Sequence, residues 1–168
     1  MVKIEFRGKS LETWKWVKGD LVQYENGNKY ILGLPIEQAD SDAPKGIRIK
    51  TPVKSDTVCQ YSGLKDQLKD NIFDKDIVLI SAEYEDVQYI AIVHFGHYEQ
   101  DGSGGEYSPA DCFGWYVEVK KAILPDWMDE DDAQYYPRPY QKQMSLYEVK
   151  DRCTIVGNVF DYHELIQE

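Results

Sequence analysis

Two histidines, His94 and His97, lie in the segment VHFGHYE and are followed by Glu99. Imidazole and carboxylate side chains together suit zinc or iron. In a straight strand, however, positions 94 and 97 face opposite sides, so a shared ion requires a bend at Gly96. The third histidine, His163, is far away near the C-terminus. We therefore predict no metal site and no cofactor, while a hydrolytic site around His94 and His97 stays open because sequence does not show spatial proximity.

Other motifs that carry chemistry are incomplete. The acidic run at 126–132 lacks the alternating oxygen ligands, the central Gly and the closing Glu of an EF-hand. The GSGG at 102–105 is not followed by Lys-Ser/Thr, as a phosphate-binding loop would be. Cys59, Cys112 and Cys153 form no CxxC pair and are expected to be reduced thiols. With no GxSxG either, the sequence supports no enzyme class and no catalytic residue, so we predict a protein that is not an enzyme.

The segment 134–141, QYYPRPYQ, is instead suited to contacts with another chain. Prolines restrict the backbone, and tyrosines offer large contact areas at low entropic cost. The alternative, which the sequence leaves open, is that these tyrosines pack back onto their own domain. The predicted interaction residues are Trp127, Tyr135, Tyr136, Arg138 and Tyr140.

The charge and composition of the chain limit its partners. A formal net charge of −11 makes binding to a phosphate backbone unlikely, since Lys and Arg drive that binding and no local basic patch is evident in the sequence. An aromatic content of 13% indicates a folded chain. No apolar run is long enough to span a bilayer and the N-terminus lacks a signal-peptide pattern, so we expect no membrane association and a cytoplasmic location.

Short alternating or β-rich runs with closely spaced turn signals predict a mainly-β fold of small-barrel or sandwich type, built from many short antiparallel strands. The clearest signals are a hairpin at Asn26-Gly27, a loop at 35–46, an edge strand containing Pro52, and a hairpin joining 77–81 to 88–95. In a further strand, one face carries Trp115, Val117 and Val119.

One or two short helices complete the prediction. One lies within 144–151, and the other follows the last strand at the C-terminus, with Asp161 as its N-cap. The length of 168 residues suits one domain, and the acidic and then Tyr- and Pro-rich segment 125–150 is predicted to be an insertion or protruding arm.

Three separated motifs resemble one family. The first is KIEFRGK followed by WKWVKGDLVQ, the second is VCQYSGLKDQLKDNIFDKDIVLI, and the third is CTIVGNVFDYHELI. They are similar, in order and spacing, to the opening, central and closing motifs of YopX-like phage and prophage proteins. The resemblance runs along the whole chain and is weakest at 100–150.

The central motif departs from the family pattern at two positions. Lys69 and Lys75 stand where the family usually has Gly, which favours a turn with positive φ. We therefore expect a different turn here, with Asn71 in the left-handed conformation. We also expect Ser62-Gly63 to form a turn, and Leu64, Leu68, Ile72 and Phe73 to face the core.

The resemblance implies a cytoplasmic phage or prophage protein of unsettled biochemical role that forms homo-oligomers, and it supplies no catalytic residue. The leading hypothesis is therefore a non-enzymatic accessory protein that acts through self-assembly and protein–protein interaction, with a host protein as a further partner. The alternatives are an acidic inhibitor that mimics nucleic acid in the groove of a host enzyme, and a nucleic-acid-binding protein with a small-barrel fold.

Overall fold

The computed structural model describes residues 4–35, 48–83, 86–101 and 106–167, and most of the expected 35–46 loop lies outside these ranges. The described residues form two antiparallel sheets and a few short helices, which confirms the predicted mainly-β fold. Contacts divide the chain into two compact units, residues 1–63 and 64–168. The single domain over 1–168 with an arm at 125–150 stays a prediction. Among the described residues, no helix is long and apolar enough to cross a membrane.

The first unit is a sheet in which neighbouring strands follow the order β4-β3-β2-β1-β5. Pro52 lies in β4 at the edge of this sheet, as predicted, because proline cannot donate to a ladder. The strands of this unit are β1 (Phe6–Lys9), β2 (Trp16–Gln23), β3 (Lys29–Pro35), β4 (Ile49–Val53) and β5 (Cys59–Lys65), which continues into the second unit.

The first four strands close into a small barrel. Ser10, just after β1, forms an isolated antiparallel bridge with Val53 of β4. The bonds on either side of this bridge run from Leu11 N to Pro52 O (3.0 Å) and from Lys54 N to Lys9 O (2.8 Å). Closure removes two exposed strand edges and encloses a core that comprises Val17, Ile31 and Val53, with Phe6, Leu21 and Val58 packed against them.

The second unit contains a five-stranded sheet in the order β10-β9-β8-β7-β11, and β6 follows β5 in the other sheet. Its elements are β6 (Asn71–Phe73), β7 (Asp76–Ser81), β8 (Gln88–Gln100), β9 (Ala110–Ile123), α1 (Glu130–Ala133), β10 (Gln143–Ser145), α2 (Leu146–Val149) and β11 (Cys153–Asn158). Single 3₁₀ turns follow at Lys150–Arg152 and His163–Ile166.

The core of the second unit forms where apolar strand residues meet α2. The predicted β7–β8 hairpin is confirmed, and so is the common face of Trp115, Val117 and Val119, which packs into this core. Two residues of the predicted 125–150 segment, Leu146 and Val149, are completely buried there. The end of that segment is therefore part of the hydrophobic core.

The predicted C-terminal helix exists as the 3₁₀ turn His163–Ile166, but its N-cap is Tyr162 and not Asp161. Asp161 instead accepts a hydrogen bond from the side-chain amide of Asn158 (3.0 Å). Of the four apolar residues expected to face the core, Leu68 is exposed and the prediction for it is wrong. Ser62 and Gly63 lie within β5, where Gly63 has a φ of 82°.

Candidate functional site

The most unusual feature of the second unit is the ribbon formed by β8 and β9, the longest strands in the described part of the chain. Gln143 in β10 pairs with Glu118, and Glu118 pairs with Ile92. Glu99 follows Ile92 by seven residues, which span about 23 Å in a straight strand. Its backbone N–H nevertheless donates to Oε1 of Gln143 (2.9 Å). The ribbon must therefore bend sharply and bring its tip back to β10.

Two glycines lie directly opposite each other in this ribbon. Gly96 and Gly114 have φ angles of 154° and 157°, and no atom lies within 4 Å of where their Cβ atoms would be. Glycine adopts such angles at low cost, and glycines in strands often mark the corners of barrels. We assign the bend to this pair, which agrees with the sequence argument that a bend at Gly96 is possible.

One face of the ribbon carries a continuous group of aromatic side chains. Phe95 lies 5.1 Å from Phe113 and 5.0 Å from Trp115 between ring centroids, and His97 lies 4.9 Å from Phe113. We call these four residues the aromatic patch. Phe95 is 54% exposed and Phe113 is 65% exposed.

The aromatic patch continues a buried face outwards. The preceding pair on the same face, Val93 and Val117, is completely buried, and Trp115 still packs partly against the core. Phe95 and Phe113 extend this apolar face, but they are exposed and do not belong to the core. Grouped exposed aromatic residues of this kind are typical of interaction surfaces.

The opposite face of the ribbon is aromatic near the bend and polar towards the sheet. Tyr116 stacks on both His94 (5.4 Å) and Tyr98 (5.0 Å). Nδ1 of His94 lies 2.9 Å from Nζ of Lys75, and its Nε2 lies 3.4 Å from a carboxylate oxygen of Glu118 without hydrogen-bond alignment. The other oxygen of Glu118 pairs with Lys120 (2.8 Å).

Burial lowers the pKa of His94, and the positive charge of Lys75 lowers it further. The imidazole is therefore neutral near pH 7, and its Nδ1 accepts a hydrogen bond from the Lys75 ammonium group. Burial raises the pKa of both Tyr98 and Tyr116, so neither phenol ionises near neutral pH. The cluster is a neutral histidine held between charged neighbours, which positions the ring without activating it.

The two histidines of the VHFGHYE motif have different partners. His94 contacts Lys75 and Glu118, whereas His97 lies 3.7 Å from Asp111. Among the described residues, no three His, Cys, Asp or Glu side chains are placed to hold a metal ion. Burial raises the pKa of the Cys153 thiol to about 12, so it is not available as a thiolate nucleophile at neutral pH.

The structure divides the five predicted interaction residues into two groups. Trp127 and Tyr135 are 72% and 64% exposed, as a docking segment requires. Arg138 instead donates hydrogen bonds to the hydroxyls of Tyr140 (2.7 Å) and Tyr136 (2.9 Å), and Tyr136 packs against the core. Tyr136 and Arg138 thus follow the alternative in which the segment packs back onto its own domain, whereas an interaction of Trp127 and Tyr135 with another chain stays a prediction.

A cavity of about 370 Å³ lies beside this arginine. Its lining combines apolar, polar and oppositely charged side chains, and a hydrogen bond from Gln100 to Glu148 (2.7 Å) joins two of its residues. No single charge dominates, so the cavity does not select an anion or a cation. The lining includes Tyr89, Gln100, Arg138, Tyr140, Glu148 and Arg152.

The central motif is a scaffold for turns. The buried carboxylate of Asp66 accepts hydrogen bonds from three backbone N–H groups, those of Leu68 (2.9 Å), Asp70 (2.9 Å) and Ile155 (3.0 Å). Asp76, also buried, accepts from Phe73 N (2.7 Å). These carboxylates are hydrogen-bond acceptors for backbone N–H groups in and beside the turns.

Asn158 in the closing motif has the same role. Its side-chain oxygen accepts from the backbone N–H groups of Phe160 and Asp161, both at 3.1 Å. These motif residues therefore stabilise the fold.

The prediction that Asn71 takes the left-handed conformation is wrong. Asn71 begins β6, whereas Lys69 and Lys75 themselves have φ angles of 72° and 63°. The turns thus keep the conformation that glycine favours, although neither residue is glycine. A left-handed conformation costs an L-residue about 1–2 kcal/mol, and the hydrogen bonds to Asp66 and Asp76 offset this cost.

We expect Lys69→Gly to raise the free energy of unfolding by about 1 kcal/mol, because glycine relieves the left-handed strain and the Lys69 side chain is exposed. Urea unfolding followed by circular dichroism measures the change. Lys69→Ala is the control, since alanine removes the same charge and keeps the strain. Equal stability of the two variants would contradict the prediction.

None of the curated proteins matches the chain. Two solved chains do, and one is protein EF1440 from Enterococcus faecalis, with a TM-score of 0.42 and 13% identity over 99% of this chain and 100% of that one. A likeness at this level identifies no function. The family model described as YopX protein matches residues 5–167, which include all three motifs, and the chain therefore belongs to the YopX family.

Proposed function

We propose that the protein is a phage- or prophage-encoded, cytoplasmic accessory protein that acts through self-assembly and protein–protein interaction and not through catalysis. The observation that carries this proposal is the aromatic patch, where an apolar strand face continues past the core with Phe95 and Phe113 more than half exposed. The phage origin is supported by the motifs that the chain shares with YopX-like phage and prophage proteins.

A second copy of the chain suits this surface because its own aromatic patch offers a partner of the same chemistry. Antiparallel ribbons can associate face to face about a twofold axis, so that each patch contacts its equivalent. The rings then lose their exposed area to water, and aromatic residues at such centres often contribute about 2 kcal/mol or more to association.

The test is size-exclusion chromatography with light scattering at micromolar concentration. We expect the measured mass of the wild-type protein to exceed that of a monomer, and the mass of Phe113→Ser to be closer to that of a monomer. A loss of about 2 kcal/mol of association free energy corresponds to about thirtyfold weaker association. Leu68→Ser is the matched control, because Leu68 is 64% exposed, lies in the same unit and is outside the patch.

A wild-type monomer at these concentrations would overturn self-assembly. The acidic inhibitor of a host enzyme would then be the better proposal, and it is supported by the concentration of 22 of the 30 acidic residues in 64–168. If Phe113→Ser and Leu68→Ser reduce the mass of the assembly equally, the protein still self-assembles, but the aromatic patch is not the contact surface.

A further inference from the structure

The net charge of the chain is divided unevenly between its two units. Residues 1–63 contain ten basic residues (Lys and Arg) and eight acidic residues (Asp and Glu). Residues 64–168 contain nine basic and 22 acidic residues. The first unit thus has a net charge of +2 and the second of −13. The net charge of −11 for the whole chain therefore does not describe the first unit.

The strand registers of the first unit place Lys18 and Lys50 on the outer face of the barrel. Leu32 of β3 lies between its partners Asp20 of β2 and Lys50 of β4. Lys18 is two residues before Asp20 in β2 and therefore points to the same face, opposite the core residue Val17. Arg48 immediately precedes β4 and reaches the carboxylate of Asp20. Neighbouring strands lie about 4.8 Å apart, so Lys18, Arg48 and Lys50 lie on one face, around the half-buried Leu32.

Two tyrosines border these cations. Tyr24 and Tyr30 meet edge to face at 5.5 Å, and the ammonium group of Lys50 lies 4.6 Å and 4.4 Å from their ring centroids. Tyr24 is 46% exposed, so part of its ring is available for contact. We call Lys18, Arg48, Lys50, Tyr24 and Tyr30 the basic face.

We propose that the basic face binds single-stranded nucleic acid, with Lys18, Arg48 and Lys50 contacting successive phosphates and a base stacking on Tyr24. A positively charged strand surface with an exposed aromatic ring is the usual combination for this ligand. Three cations over about 10 Å match a short stretch of a flexible strand, whose unstacked bases can reach the ring. A duplex would present only its backbone and would leave the tyrosine unused.

The ion pair of Arg48 and Asp20 does not prevent this binding. Both side chains are more than half exposed, and exposed pairs contribute little free energy, so a phosphate can replace the carboxylate. Asp20 therefore acts as a competitor for Arg48, and its removal should strengthen binding.

The experiment is fluorescence anisotropy of a labelled 20-nucleotide thymidine oligomer with the full-length protein at 20 mM and 200 mM NaCl. With three phosphate contacts, a plot of the logarithm of the binding constant against the logarithm of the salt concentration should have a slope of about −2. The affinity should therefore fall about 100-fold between the two salt concentrations. We expect Lys18→Ala/Lys50→Ala to reduce the slope to about −0.7, Tyr24→Ala to weaken binding at least fivefold, and Asp20→Asn to tighten it.

The matched control is Lys65→Ala/Lys121→Ala, which removes two exposed lysines from the second unit and changes the net charge equally. The proposal is overturned if the labelled oligonucleotide does not bind to the protein at 20 mM NaCl, or if a duplex of equal length binds more tightly. It is equally overturned if the control variant loses as much affinity for the oligonucleotide as Lys18→Ala/Lys50→Ala. It is also overturned if the Lys18→Ala/Lys50→Ala variant changes oligomer mass and not oligonucleotide binding, since the face would then be an assembly surface. Circular dichroism confirms that each variant is folded.

Discussion

Replacing Asp66 by alanine should lower the free energy of unfolding by about 4 kcal/mol. The Asp66 carboxylate is 1% exposed and is the acceptor for three backbone N–H groups. Alanine removes this acceptor from all three donors, and a hydrogen bond to a charged group contributes about 1.5–3 kcal/mol. The cost is large because one side chain serves three donors.

The effect should extend beyond the turn. One oxygen of Asp66 closes the turn through Leu68 and Asp70, while the other binds Ile155 in β11. A backbone hydrogen bond from Gln67 to Cys153 (3.0 Å) reinforces the same contact. Loss of the carboxylate therefore detaches the turn between β5 and β6 from β11, and amide exchange in both places should accelerate together.

Urea unfolding provides the measurement, with Asp70→Ala as the matched control. Asp70 lies in the same turn and is exposed, so its replacement should change stability by less than about 0.5 kcal/mol. Asp66→Asn should fall between the two, since asparagine retains one oxygen but turns an N–H donor towards a second N–H. Equal destabilisation by Asp66→Ala and Asp70→Ala would show that the Asp66 carboxylate has no special role.

The sequence predicted those parts of the fold that depend on local pattern. The β-rich runs on either side of 82–87 identified the β7–β8 hairpin, and alternation identified the buried face of β9. The motif at 61–80 offered no local pattern from which the role of its charged residues could be predicted. Its acids proved to be partners of backbone N–H groups.

The parts that failed depend on the path of the backbone, which local propensity does not give. A lysine in the left-handed conformation is unfavourable by itself, so propensity assigned that conformation to Asn71, whereas tertiary contacts imposed it on Lys69 and Lys75. Composition also could not predict that Trp127 is exposed whereas Arg138 binds two tyrosines of its own chain. Those contacts of Arg138 depend on the path of the backbone.

The basic face was missed for a related reason. Lys18 and Lys50 are 32 residues apart in sequence, and only the registers of β2, β3 and β4 bring them to one surface. A search for runs of basic residues cannot find such a patch. The charge of each half of the chain, taken separately, was the signal that would have pointed to it.

A second glycine pair should tolerate substitution least of all. Gly19 of β2 and Gly33 of β3 are register partners in the first unit. A Cβ atom at Gly33 would lie 1.9 Å from the carbonyl oxygen of Lys18, and one at Gly19 would lie 2.2 Å from that of Leu32. Both obstacles are backbone atoms held in a ladder, so neither can move without separating the strands.

We therefore expect Gly33→Ala to lower the free energy of unfolding by at least about 3 kcal/mol, through forced separation of two strands that enclose Val17 and Ile31. Hydrogen exchange read by mass spectrometry should show lost protection in β2 and β3. Gly8→Ala is the control in the same sheet, since its Cβ would meet the Val53 side chain at 3.2 Å, which a small shift relieves. If Gly33→Ala is no more destabilising than Gly8→Ala, the close approach of β2 and β3 is not a fixed requirement of the barrel.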